Sequence, residues 1–161
     1  MDYYSQPVDH PYPANYLSDA MNILGQMFDY RFYDLKLDMQ EIFDMFLDSG
    51  VADDFGAGHP KYVGGMVGRE VFRYVQFYLD GEFPEHVDET YSGYPDGPFW
   101  TGWILAYYQW DRNISFRDFR KYGVTMDNFE RAYPALHTAS EDRACETIDE
   151  WFENAKKYNT D

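Results

Sequence analysis

Apolar positions recur along most of this chain at the three- and four-residue spacing of helices that face a common core. After Ser18, a capping residue, Ala20, Met21, Leu24, Met27, Phe28, Phe32 and Leu35 fall on one side of a helix reaching about Leu35. Asp38 caps a second helix whose stripe is Met39, Ile42, Phe43, Phe46 and Leu47. Gln40, Glu41, Asp44 and Asp48 take its other face, and Gly50 stops it. Residues 51–66 are glycine-rich and irregular, with a short turn expected at 51–55. A third helix is expected over 67–79, with Val67, Val71, Tyr74, Val75, Tyr78 and Leu79 facing inward. The prolines and glycines of 80–98 predict a long loop.

Pro98 opens FWTGWILAYYQW, residues 99–110, which is apolar nearly all round. Only Thr101, Gly102, Ala106 and Gln109 make a narrow small or polar arc, the pattern of a central buried helix. Trp100, Trp103, Ile104, Tyr107 and Trp110 are therefore expected to be largely buried. Gly102 and Ala106, one turn apart, leave room for a neighbouring helix. Ser115 with Asp118 nearly matches a capping box, opening a short helix that ends at Gly123. Thr125 caps another from Met126 to about Tyr133, before Pro134. Ser140 opens a last one with Ala144, Cys145, Ile148, Trp151, Phe152 and Ala155 on one face. No stretch shows the period-two alternation of a strand. The expected class is all-α: a single compact domain of six or seven helices, 15–161, around a buried Trp/Tyr-rich central helix. An extended Tyr/Pro arm, 1–14, precedes it, because Pro7, Pro11 and Pro13 forbid helix there.

Charge changes the picture more than length does. The 161 residues carry 29 acidic and 13 basic side chains, a net charge of −16. Such a field repels phosphate backbones and anionic membranes, so neither nucleic acid nor membrane is an expected partner. It attracts a basic protein. The excess is uneven: residues 1–90 hold 17 acidic and 5 basic side chains, residues 91–161 hold 12 and 8. The single cysteine, Cys145, excludes an internal disulfide framework and a cysteine zinc cluster. A lone thiol, an acidic start without an apolar run, and no apolar stretch near the roughly 20 residues of a membrane span together predict a soluble cytoplasmic protein.

Catalytic signatures are weak. Gly56-Ala57-Gly58 lacks the third glycine and the preceding strand of a dinucleotide fingerprint, and no glycine pair leads into a P-loop Lys-Ser/Thr. His10, His59, His86 and His137 are scattered. Glu85, His86, Asp88 and Glu89 cluster, but adjacent loop positions do not show ligands converging on one point. No cofactor and no metal are expected, and Cys145 on an apolar face reads as an inert thiol. The stretch 115–133 has the length of a helix-turn-helix and a local excess of Arg and Lys. Asp127 and Glu130 on its second helix would face phosphates badly, so a plain helical hairpin is the better reading.

The sharper signal lies within 38–54, where Asp38, Glu41, Asp44, Asp48, Asp53 and Asp54 lie on or just past one helix, opposed by no Lys or Arg of that segment. Glu41, Asp44, Asp48, Asp53 and Asp54 are the candidate docking residues for a basic partner. Tyr and Pro are concentrated in the arm and in 80–98, and Tyr offers large contact area with few rotamers to freeze. Tyr3, Tyr4, Tyr12, Tyr91 and Tyr94, beside Glu85 and Asp88, are expected at the same surface. Deleting residues 2–13 is accordingly expected to leave the melting temperature nearly unchanged.

The stretch 94–119, YPDGPFWTGWILAYYQWDRNISFRDF, resembles a group of small acidic bacterial proteins with a W-x-G-W-x-L-A-Y-Y-Q-W core. MNILGQMFDY (21–30), FLDSGVADDFGAGHPKYVGGMVGRE (46–70) and ALHTASEDRA (135–144) are similar to the same group, so the likeness spans over half the chain. Such proteins are often encoded in toxin–antitoxin-like or defence cassettes, some beside ADP-ribosyltransferase-like toxins. The resemblance implies an antitoxin or accessory role and carries over no catalytic residue. The functional expectation is a non-enzymatic acidic protein that binds and neutralises a basic partner, such as a toxin encoded nearby. The alternatives are a nucleic-acid mimic that occupies a DNA- or RNA-binding cleft, and a small enzyme of unassigned chemistry.

Overall fold

The computed structural model describes residues 9–84 and 96–158. These residues form an all-helical, compact arrangement: a 3-10 turn at Ala14–Tyr16 followed by α1 (Leu17–Asp34), α2 (Met39–Asp48), α3 (Val51–Gly56), α4 (Pro60–Val63), α5 (Gly68–Asp80), α6 (Gly97–Asp111), α7 (Arg117–Tyr122), α8 (Met126–Leu136) and α9 (Glu141–Tyr158). The expected count of six or seven gives way to nine α-helices among the described residues. The difference comes from the glycine-rich 51–66 segment, which folds into two short helices rather than an irregular turn.

Local signals explain most boundaries. Asp38 Oδ1 accepts from Glu41 N at 2.8 Å, and Glu41 Oε1 accepts from Asp38 N at 3.3 Å, a reciprocal cap at the start of α2. Gly50 ends α2 and opens α3 at φ 82°, a backbone state that costs side-chain-bearing residues about 1–2 kcal/mol. Before α7 only half of that pattern forms: Ser115 N donates to Asp118 Oδ2 at 3.1 Å, while Ser115 Oγ accepts from Arg117 N at 3.1 Å rather than from Asp118 N. Pro134 does not end its helix: α8 continues to Leu136, and the exposed position lets water serve the carbonyl that loses its donor.

The longest packed crossing is α1 against α6, with α5 on another side of α1, and α8 and α9 closing over α6. Gly102 lies at the crossing. A Cβ there would overlap the Leu24 carbonyl oxygen and stand 2.8 Å from Gly25 N, so only a glycine admits this approach. Phe119 on the short α7 plugs the far side of the core, its ring 4.9 Å from Phe152 and 5.9 Å from both Phe43 and Tyr108. α6 is less enclosed than its pattern implies. Trp100, Ile104 and Trp110 are buried, whereas Trp103 and Tyr107 are half-buried. The face of α5 is rotated from the expected one: Gly68, Val71, Phe72 and Val75 are buried, while Val67, Tyr78 and Leu79 are exposed.

The end of the N-terminal arm is built into the fold. The His10 ring stacks on Trp110 at 3.6 Å, and Trp110 Nε1 donates to Tyr12 O at 2.7 Å. Tyr12 is only 6% exposed, tight against Gly58, where a Cβ would collide with it. Burial also raises the pKa of its phenol. Tyr12 therefore belongs to the core rather than to an open docking surface. Deleting residues 2–13 removes this burial and a buried hydrogen bond, together about 3 kcal/mol. The melting temperature should fall by roughly 6–12 °C, read by thermal denaturation of the truncated chain. A shift within error would return the arm to a dispensable extension.

Candidate functional site

The acidic segment of α2 and α3 meets a basic helix from far along the chain. Asp44, Asp48, Asp53 and Asp54 project from successive turns, and α7 lies across them. Arg120 donates to Asp48 Oδ1 at 2.7 Å and to Asp44 Oδ1 at 3.1 Å. Arg117 makes a forked pair with Asp53, Nε to Oδ1 at 2.8 Å and Nη2 to Oδ2 at 2.9 Å, and also reaches Leu47 O at 3.0 Å. The hydrogen bonds to Asp53 and to Asp48 hold the Arg117 and Arg120 guanidinium groups above their ordinary pKa range. All these side chains remain largely exposed, so each pair contributes only on the order of 0.2–1 kcal/mol. Their main effect is on the field. Two arginines engage three of the five candidate carboxylates and reduce their combined charge from −3 to −1.

Glu41 is exposed but engaged in the α2 cap, and Asp54 is exposed without a side-chain hydrogen bond or ion pair among the described residues. Tyr3, Tyr4, Glu85, Asp88, Tyr91 and Tyr94 lie outside the described residues. The same arginines bear on the 115–133 hairpin. With Arg117 and Arg120 turned onto Asp53, Asp48 and Asp44, much of its local positive charge is spent inside the molecule.

A stronger acidic feature lies on α9, in the half of the chain with the smaller charge excess. Asp142, Glu146, Glu150 and Glu153 follow one another at spacings of four, four and three residues, which places them along one face. All four are exposed. The opposite face buries Ala144, Cys145, Ile148 and Phe152. Arg143 stands 3.6 Å from Glu146, and Asp142, Glu150 and Glu153 have no hydrogen bond or ion pair among the described residues. Like charges at this spacing destabilise a helix by about 0.2–0.5 kcal/mol per pair. Asp142 benefits from the helix N-terminus, but Glu150 and Glu153 lie too far along for that.

Asp149 is the exception on this helix. Arg112 grips it with Nε at 3.0 Å and Nη2 at 2.7 Å, and Tyr108 donates to it at 2.7 Å. Burial pushes its carboxyl up, yet the Arg112 and Tyr108 hydrogen bonds outweigh that and hold it below the usual range. Beside it a cavity of about 320 Å³ is lined by Tyr108, Ile114, Tyr122, Phe152, Glu153 and Lys156. The stripe thus borders an aromatic-walled groove.

Among the described residues no side chain is hydrogen-bonded to Cys145 as a base would be to a nucleophile. Its thiol is buried, and desolvation pushes its pKa up to about 12, the opposite of an activated cysteine. Among the described residues no three of His, Cys, Asp and Glu converge as metal ligands. No helix among them is long and apolar enough to cross a membrane. No protein-family model, curated protein or solved structure matches the chain.

Proposed function

We propose that this protein is a non-enzymatic acidic binder that docks and restrains a basic protein, in the first instance a toxin encoded beside it, and that the Asp142–Glu146–Glu150–Glu153 face of α9 is its principal contact. The observation that carries this reading is the exposed carboxylate stripe, in which Glu150 and Glu153 have no hydrogen bond or ion pair among the described residues and lie too far along α9 to gain from its N-terminus. A basic partner would relieve the repulsion between these carboxylates, and the net charge of −16 would steer its approach. The neighbouring groove offers aromatic walls for an anchoring side chain. Glu41 and Asp54, exposed on α2 and α3, are the secondary contacts. Asp44, Asp48 and Asp53, offset by α7, contribute less.

The test is co-expression with the products of the flanking genes, followed by co-purification. The wild-type protein should retain a basic partner. Glu146→Lys, Glu150→Lys and Glu153→Lys combined should lose it while keeping the wild-type melting temperature within about 2 °C, since exposed substitutions usually change stability by under 0.5 kcal/mol. Retention of the partner by the triple variant would remove α9 from the interface. Salt grades the mechanism against nucleic-acid mimicry: a complex that also anchors a side chain in the aromatic groove weakens less steeply with ionic strength than an imitation of phosphates, which has charge contacts alone.

A further inference from the structure

The outer side of α5 carries an aromatic patch that the acidic surface does not use. Tyr78 is 53% exposed, and Phe83, just past the helix, is 45% exposed. Phe83 folds back on α5: its ring stacks on Phe77 at 4.6 Å and meets Tyr74 edge-on at 5.3 Å. Tyr74 and Phe77 are themselves only half-buried, whereas Val71, Phe72 and Val75 of the same helix are in the core. Apolar rings gathered in this way, rather than scattered singly, mark an interaction surface.

Charge runs in one direction along the patch. At one end Lys61 Nζ lies 3.7 Å from the Tyr74 ring centroid, and the Arg73 guanidinium lies 5.4 Å from that of Phe83. Glu70, 3.7 Å from Arg73, offsets part of this positive charge. At the other end stand Asp80 and Glu82, both exposed and without an ion pair among the described residues. Asp80 is the last residue of α5, whose final turn holds no basic side chain, so its carboxylate meets the negative end of the helix dipole. Arg73, Phe77 and Asp80 are four and three residues apart, on one face of the helix. Two such faces laid antiparallel, with a two-fold axis beside Phe77, put Arg73 of each copy opposite Asp80 of the other.

We infer that this face of α5 binds a second copy of the chain, as an antiparallel two-fold dimer with the Tyr78 and Phe83 rings at its centre. A two-fold contact needs a patch that complements itself, which the opposed ends of this one provide. A basic partner is suited to the α9 stripe instead, because Lys61 and Arg73 oppose it here. The two surfaces lie on different elements: α5 packs on α1, α2 and α3, and α9 on α6, α7 and α8. Each copy brings a net charge of −16, so long-range repulsion limits the affinity and salt relieves it.

Sedimentation velocity of the full chain over a concentration series tests it. A monomer–dimer equilibrium with a Kd of about 100 µM or tighter is expected, strengthening as ionic strength rises. Arg73→Asp and Asp80→Arg each set like charges against one another twice, so each should weaken self-association by roughly tenfold or more. Asp80→Arg also suits the end of the helix, so its melting temperature should stay level or rise. Mixed together, the two variants regain both opposite-charge pairs and should dimerise with one another as the wild type does. Tyr78→Ser should weaken the dimer as well. A dimer that all three variants leave intact, or charge variants that fail to pair when mixed, would overturn the assignment. So would a chain that stays monomeric, including one whose flanking-gene partner is lost with Tyr78→Ser, which gives the face to that partner.

Discussion

Replacing Gly102 by alanine should lower the stability of this protein by about 3 kcal/mol, the upper end of what overpacking costs, because the added methyl has nowhere to go. It would overlap the Leu24 carbonyl and crowd Gly25 N, backbone atoms of α1 that cannot rotate aside as a side chain could. On the facing helix, Gly25 would itself place a Cβ 3.0 Å from the Phe99 ring and carbonyl. The two glycines therefore set the separation of α1 and α6, the most extensive crossing in the fold. For a domain of this size the loss corresponds to a fall of roughly 6–12 °C in melting temperature, read by calorimetry. A wild-type melting temperature would show that α1 and α6 can separate freely, which contradicts the close approach.

Phe119→Ala should be at least as damaging, at about 3–5 kcal/mol. Its ring is fully buried among Phe43, Tyr108, Phe129 and Phe152, carried by a helix of only six residues that contributes little else to the core. The same substitution loosens the helix that carries Arg117 and Arg120 onto α2 and α3. Urea denaturation should show a lower midpoint with an unchanged slope. A loss below about 1 kcal/mol would mean that α7 lies on the core without completing it.

What was legible in the sequence was local. The Asp38 cap, the stops at Gly50 and Gly123, and the small arc of Gly102 on α6 each declare themselves within a few residues, and each has its counterpart in the structure. What was not legible depends on distant partners. α5 carries apolar residues around much of its circumference, so the sequence allows several inward arcs. The buried one includes Phe72 and leaves Tyr78 53% exposed. The acids of 38–54 look unopposed because their arginines lie 64 to 76 residues further on. Tyr12 reads as an arm residue until the Trp110 indole closes over its carbonyl from a separation of 98 residues. The α9 stripe differs from these. Its four-, four- and three-residue spacing is plain in the sequence, but the larger acidic excess of residues 1–90 masks it in a reading by charge alone.

The central claim is that α9, rather than α2, receives the basic partner. Stopped-flow association with the co-purified partner at low ionic strength tests it most directly, comparing Glu146→Lys/Glu150→Lys with Asp44→Asn/Asp48→Asn. The α9 variant should associate about tenfold more slowly than wild type, and the α2 variant at close to the wild-type rate, because Arg120 already offsets those two carboxylates. A wild-type association rate for the α9 variant together with a slowed α2 variant would contradict the account.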